Sequence, residues 1–355
     1  MKPLLPNTYV LNNKYLQSII SPSTDIIDYN FTSDQVHKLN LLQILRPDIY
    51  FNKKLSEQEF FDYSKKYYQK LIDEEIIYKS ENKYFLYRID SDGHSQTGLI
   101  SLLNIQDYIN RNIKPHEKIL VSKGKERADQ LSKVKFQLCP IYLFYDDENI
   151  DLNLDIHHDK KPLIKFKSGK YTHSIYKTST DFTGINFKEL FVADGHHRIE
   201  GFAQLDVDKD TKFLSIVFPK SKCLNLAYNR SIKFPDSYNK DSFLSDLKKF
   251  FHVEELKYHE KVDRFFVIYY KGKYFKLDLK NDFSTNGADC IDFGEFVLKE
   301  ILKIHDETND QRVEFVPPTL GTDYLINQVD TGITDLSTLM RPVSMDLVIE
   351  YSKNL

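Results

Sequence analysis

The sequence predicts an α+β fold, with helices flanking a mixed sheet. Two observations carry this. Apolar strand-like runs alternate with helical periodicities along the 355 residues. Several of the predicted strands are joined as hairpins, without the regular helical crossovers of a doubly wound parallel fold. The hydrophobic content of 41% is enough for the core of one large or two ordinary domains.

The elements follow in order. Residues 34–45 have a helical pattern. Ser56-Glu57-Gln58-Glu59 is a capping box, and the apolar spacing after it predicts an amphipathic helix to about Asp73. Tyr84 to Ile89 and Gln96 to Leu103 form a hairpin around Ser91-Asp92-Gly93-His94. A short helix is expected near 104–112 and another around Glu126, Arg127 and Leu131. Cys139 to Tyr145 is a buried strand by its continuous apolar run, which makes Cys139 a core thiol. The polar region 147–170, with Asp155, His157, His158 and Asp159, reads as a solvated loop. Strands are expected at Tyr171 to Thr178 and Lys212 to Phe218. After a break at Pro235-Asp236-Ser237 come a helix near 241–251, a hairpin of Phe265 to Tyr270 with Tyr274 to Leu279, and a helix at 293–303. Val313 to Pro318 and Met345 to Tyr351 read as strands or short segments. The break divides the chain into a core, 1–235, and a C-terminal α+β elaboration, 236–355.

Composition excludes several classes. Net charge is −3, so the dense basic surface of non-specific nucleic-acid binding is missing. No apolar run is long enough for a membrane span, and no apolar stretch follows Lys2 as in a secretory signal. Three scattered cysteines (Cys139, Cys223, Cys290) form no metal-binding pair and fit a reducing cytoplasm.

The chemistry concentrates in Phe191-Val192-Ala193-Asp194-Gly195-His196-His197-Arg198. Three apolar residues end a buried strand, Asp194-Gly195 forces a turn, and a helix starts and runs through Phe202. A helix N-terminus suits an anion, and Arg198 adds a planar fork for two phosphate oxygens. Adjacent helical residues project about 100° apart, so His196 and His197 are poorly placed to chelate one ion. The His-x-x-x-His spacing of zinc hydrolases is absent, as are the Gly-x-Ser-x-Gly elbow, the P-loop and the kinase signatures. Phosphate binding is the reading that most of the local features share. The bland alternative has Asp194 capping the helix and the histidines simply exposed in its first turn.

The string Ala193-Asp194-Gly195-His196-His197-Arg198 resembles the principal motif of the DUF1015 family. Three further stretches match it in order. Ser21-Pro22-Ser23-Thr24-Asp25-Ile26 is similar to an N-terminal Pro-Pro-Tyr-Asp-Val segment. Gly93-His94-Ser95-Gln96-Thr97-Gly98 is similar to Gly-Arg-Ser-Gln-Thr-Gly. Lys114-Pro115-His116-Glu117, followed by Glu126-Arg127, is similar to Lys-Lys-His-Glu and an acidic-Arg pair. Asn229-Arg230 falls where the family has His-Arg or a similar pair. Near the C-terminus, Met340-Arg341-Pro342-Val343-Ser344-Met345 lacks the lysine usual in the family. The string also resembles the signature of the ParB/sulfiredoxin-like superfamily, which includes nucleotide-hydrolysing partition proteins and free-serine kinases.

The resemblance implies a ParB/sulfiredoxin-like core and a nucleotide-dependent phosphotransferase acting on a small hydroxyl compound such as free serine, with Mg²⁺ and ATP or ADP. Gly195, His196, His197, Arg198 and His116 would hold phosphates, with Arg127 and Arg230 adding positive charge. Asp194 or Glu117 would bind the metal or act as general base, with His196 and His197 part of the catalytic set. Asp25, Gln96 and Thr97 would shape the acceptor side. A nucleotide-sensing regulatory protein and a phosphoester hydrolase are the rival expectations.

Overall fold

A computed structural model describes the chain except for residues 7, 22–36, 81–82, 92, 117–132, 134–135, 151, 153, 155, 157–160, 206–209, 258–265 and 284–286. It divides into two compact units, Met1–Leu224 with Ile349–Leu355, and Asn225–Val348.

The first unit contains β1 (Tyr9–Leu11), β2 (Ile77–Lys79), β3 (Phe85–Ser91), β4 (His94–Asn104), β5 (Ile113–Lys114), β6 (Ile141–Tyr145), β7 (Ile164–Ser168), β8 (Tyr171–Lys177), β9 (Leu190–Asp194) and β10 (Lys212–Pro219). β1 and β2 form a small antiparallel pair. The other eight strands form one sheet in the order β5-β9-β6-β10-β4-β3-β8-β7. Its β5–β9 and β6–β10 pairings are parallel and the rest antiparallel, the mixed sheet that hairpins alternating with helices predict. The β3–β4 hairpin is longer than its apolar core suggests, because pairing continues to Ser91 opposite His94. Within it, a Cβ on Gly98 would lie 2.7 Å from Ile216 Cγ2 and 2.8 Å from the Phe218 ring, so β4 carries glycine where the side chains of β10 cross it.

The helix Glu57–Asp73 begins as the capping box predicts, with Ser56 and Glu59 bonded reciprocally. Its buried residues Phe61, Ser64, Tyr67 and Leu71 recur at helical spacing, and Tyr67 and Leu71 pack with Ile19, Ile44 and Ile76. The main core joins Leu86, Leu99, Leu143, Val192 and Val217 of the sheet to Ile105, Tyr108, Ile199 and Phe202 of two short helices.

The second unit is built on an antiparallel sheet of β11 (Asn229–Ile232), β12 (Phe251–Leu256), β13 (Phe266–Tyr270), β14 (Lys273–Leu279), β15 (Val313–Val316) and β16 (Leu336–Leu339), ordered β12-β14-β13-β16-β11-β15. The helices Phe243–Phe250 and Phe293–Ile301 bury Phe243, Leu247, Phe293 and Val297 in its core. Phe293–Ile301 is wound with a wide turn, closed by Leu302 N–H donating to the Val297 carbonyl at 2.9 Å.

Several expectations are corrected. Met345–Asn354 is a helix and not a strand, with Val348, Ile349 and Ser352 buried along one face. The polar region 147–170 ends in strand β7, and β12 follows directly on its helix. Within 34–45 helix covers only Leu42–Leu45, ahead of Pro47, and 34–36 lie outside the described residues. Cys139 is half-buried and precedes β6, which starts only after Pro140. The helix expected around Glu126 to Leu131, and Asp155, His157, His158 and Asp159, lie outside the described residues. β11, which pairs with β15 and β16, belongs to the second unit.

Candidate functional site

β9 is buried along Leu190, Phe191 and Val192, and its last two residues, Ala193 and Asp194, emerge to solvent. The emergence has a local cause. Tyr142 of β6 pairs with Asp194 while the next residue, Leu143, pairs with Val192, so Ala193 is an extra residue on β9. Such a bulge bends a strand and re-aims the side chains beside it. Gly195 follows at φ 97° and ψ 26°, a left-handed conformation that strains any side chain except glycine's. The helix His196–Ala203 starts there.

That helix has one apolar stripe. His196, Ile199 and Phe202 are buried, and Ile199 and Phe202 face the main core. Burying those two side chains contributes roughly 1.5–3 kcal/mol each to holding the turn against the sheet. Farther along, Glu200 accepts a hydrogen bond from the Tyr108 hydroxyl at 2.9 Å, which with burial keeps that phenol protonated. No side chain caps the N-terminus. Asp194 is not the cap of the bland alternative, because its carboxylate instead pairs with Arg198 one turn ahead. The Arg198 guanidinium folds back over the turn, and a Cβ on Gly195 would stand 3.0 Å from its Nε and Nη2. Glycine is required here twice, for its dihedral angles and for the room it leaves to Arg198.

His116 reaches the same turn from β5. Because β5 and β9 are parallel, with Lys114 opposite Phe191, the residue two places beyond Lys114 is level with Ala193. There His116 Nδ1 lies 3.3 Å from His196 Nε2, with the two rings edge to face at 4.3 Å between centroids. Burial first, then the neighbouring His116, His197 and Arg198, push His196 down to about 3. His196 is therefore neutral at pH 7 and serves as a hydrogen-bonding group, leaving Arg198 to supply the cation. Tyr142, behind Asp194 on the sheet, is held well above the usual phenol range by burial and by Tyr87. The Tyr87 hydroxyl in turn lies 2.6 Å from His173 Nδ1. Neither tyrosine stood out in the sequence, where each reads as an ordinary apolar strand residue.

The other predicted residues distribute unevenly. His116, Asp194, Gly195, His196, His197 and Arg198 come together. Asp25, Glu117 and Arg127 lie outside the described residues. Gln96 and Thr97 are on β4, three strands from β9. Asp194 is level with Ile216 and Ile100, so Gln96 is about 14 Å across the sheet and about 13 Å along it, beyond contact with an anion at Gly195. Gln96 instead accepts from Leu224 N–H at 3.2 Å. Arg230 belongs to the second unit, where it is buried, 3.3 Å from Glu307, and stacked on Phe315 with its guanidinium carbon 4.2 Å from the ring centroid. Arg341, in the C-terminal segment that lacks the family's lysine, is bound by the buried Asp289 through its backbone N–H at 2.7 Å and its guanidinium. Among the described residues no group of three or more His, Cys, Asp and Glu side chains could enclose a metal ion, and no helix is long and apolar enough to cross a membrane.

Comparison with curated proteins finds no match. Among solved structures, a variant free serine kinase in complex with ADP is 13% identical, with 72% of this chain and 82% of that chain covered at a TM-score of 0.38. Free serine kinase in complex with AMP is 14% identical over the same shares, at 0.39. A conserved hypothetical protein from Pyrococcus furiosus is 13% identical, with 72% and 85% covered, at 0.38. The family described as "Protein of unknown function (DUF1015)" matches residues 3–306, the span that holds β9, its glycine turn and the helix beyond, and the chain belongs to that family.

Proposed function

We propose that the chain is a nucleotide-dependent phosphotransferase acting on a small hydroxyl compound such as free serine. One observation carries the phosphate part. An uncapped helix N-terminus begins on a left-handed glycine, with the Arg198 guanidinium folded over it. The positive end of the helix dipole and a bidentate guanidinium together form an anion cradle at this turn. In the free protein Arg198 is neutralised by Asp194. A bound phosphate takes the guanidinium in exchange, and the carboxylate is then released to accept the proton of an acceptor hydroxyl.

His196, kept neutral by burial, steadies His116 beside the cradle, and His197 in the helix's first turn adds a further donor. The Asp194 side chain is 69% exposed at the mouth of this turn, which fits one carboxylate of a magnesium site completed by phosphate oxygens. Either Asp194 or Glu117 would hold the ion, which supplies neutralisation of the phosphate charge, and the other would then serve as the base. Arg127 is proposed as a further cation. Arg230 is engaged by Glu307 and Phe315 within the second unit. The serine-like acceptor and the choice of ATP or ADP rest on the resemblance of the motif.

The test is phosphorus NMR of the protein with ATP, ADP or CTP, Mg²⁺ and a pool of amino acids. A new phosphoester signal supports transfer. Free phosphate formed without acceptor dependence makes the protein a hydrolase, and binding without turnover makes it a sensor. Arg198→Ala should weaken nucleotide binding by roughly 10- to 100-fold, the worth of a charge-assisted hydrogen bond. Absence of affinity for every nucleotide would refute the cradle.

A further inference from the structure

The geometry points to Glu189, held between Lys114 and Lys353, as a positioning residue that sets His116 against His196. The inference rests on the proposed function for its consequence, and on contacts far from the cradle for its cause. β5 is two residues long and, among the described residues, lies at the edge of the sheet with β9 its only neighbour strand. Its backbone tie is short, Ile113 opposite Leu190 and Lys114 opposite Phe191, with Leu190 N–H donating to the Asn112 carbonyl at 3.0 Å. A strand held so lightly does not by itself fix a side chain two residues further on.

Side chains supply the remainder. Lys114 Nζ donates to Glu189 Oε1, and the lysine is only 20% exposed. Lys353, from the last turn of the C-terminal helix, brings its Nζ to 3.6 Å from Glu189 Oε2 and lies 5.9 Å from the centre of the Phe191 ring. Both lysines are thus directed at one carboxylate at the entry of β9. The Lys114 hydrogen bond is the main cause that holds this carboxyl below its usual range. β9 carries Glu189 at its entry and Asp194 at its exit. Parallel to it, β5 carries Lys114 level with Phe191 and sends His116 to the level of the bulge. Locking Lys114 to Glu189 therefore fixes the register in which His116 arrives at His196. Without the lock, the edge strand can shift and the imidazole contact is the first to loosen.

The experiment reads the imidazole nitrogens directly, on the protein without ligand. Long-range ¹H–¹⁵N spectra are recorded for the native protein, Lys114→Met, Glu189→Gln and Lys114→Arg, and the two rings are assigned with His116→Gln and His196→Gln. Lys114→Met and Glu189→Gln are expected to shift both resonances while the fold, judged by the remaining amide spectrum, is retained. Lys114→Arg keeps the ion pair and should leave them in place. ATP affinity should fall about two- to fivefold in the two disrupting variants, the scale of a partly exposed ion pair. If Lys114→Met does not fold, Glu189→Gln reads the same quantity. Unmoved imidazole signals in the disrupting variants overturn the inference, as does a shift in Lys114→Arg as large as in Lys114→Met. Imidazole shifts in a protein without nucleotide affinity would sustain the positioning role and refute the proposed function.

Discussion

Replacing Gly195 separates the two demands placed on that residue. Alanine at φ 97° must adopt a left-handed backbone at a cost of about 1–2 kcal/mol, and its Cβ must displace an Arg198 guanidinium that would stand 3.0 Å away. Asparagine enters the left-handed region more readily but brings the same Cβ. Gly195→Ala should therefore lose more stability than Gly195→Asn, with the melting temperature of a unit this size falling about 2–4 °C per kcal/mol. Nucleotide affinity should behave differently. If Arg198 must lie over this turn to receive phosphate, both variants move it and both lose affinity to a similar degree, roughly 10-fold, at the lower end of a charge-assisted hydrogen bond. Thermal melts and titration calorimetry with ATP measure the two effects independently. Native affinity in Gly195→Asn would show that the position of Arg198 is immaterial and would refute the cradle as described.

Three further outcomes follow from the same contacts. His196 is depressed from 6.5 to about 3, so below pH 6.5 the unfolded chain takes up a proton that the native ring refuses. Stability is fully present above 6.5 and declines toward pH 3 by up to about 1.4 kcal/mol per pH unit; urea midpoints at pH 7, 6 and 5 should fall accordingly, and His196→Gln should flatten the trend. Ser56→Ala removes the capping box of the long helix and should cost about 1 kcal/mol in urea unfolding without altering nucleotide affinity. Gly98→Ala places a Cβ 2.7 Å from Ile216 in a packed sheet and should destabilise by about 1–3 kcal/mol, read as a lowered melting temperature.

Much of the first sheet was legible because its signals are local. The capping box at Ser56 names its own helix, and Gly93 names the β3–β4 hairpin. The polar turn after β9 is also local, since six adjacent residues carry it. Met345–Asn354 departs from its strand-like pattern for the opposite reason. Its apolar run Leu347-Val348-Ile349 looks like a strand, and only packing of Val348, Ile349 and Ser352 makes it a helix. Propensity is a weak guide wherever tertiary burial decides.

The companions of the central turn divide along the same line. His116 is eighty residues from His196 in the chain, yet parallel pairing of β5 with β9 brings the two to the same level of the sheet. Gln96 shares the motif character of His116 but no such register, being three strands away and bonded to Leu224. A short motif identifies residue types that suit a ligand, and strand pairing decides which of them share it. The same reasoning weighs the Asp194–Arg198 pair. A guanidinium already neutralised by a carboxylate attracts anions weakly, so the cradle must gain from exchange of one partner for another. An exposed carboxylate gives up its partner at low cost, because water solvates it once released. Asp194 at 69% exposure meets that condition, and Glu307, at 31% beside a buried Arg230, meets it far less well. On the proposed function, the turn after β9 is thus the place where a phosphate displaces a carboxylate from arginine, while Arg230 keeps its own.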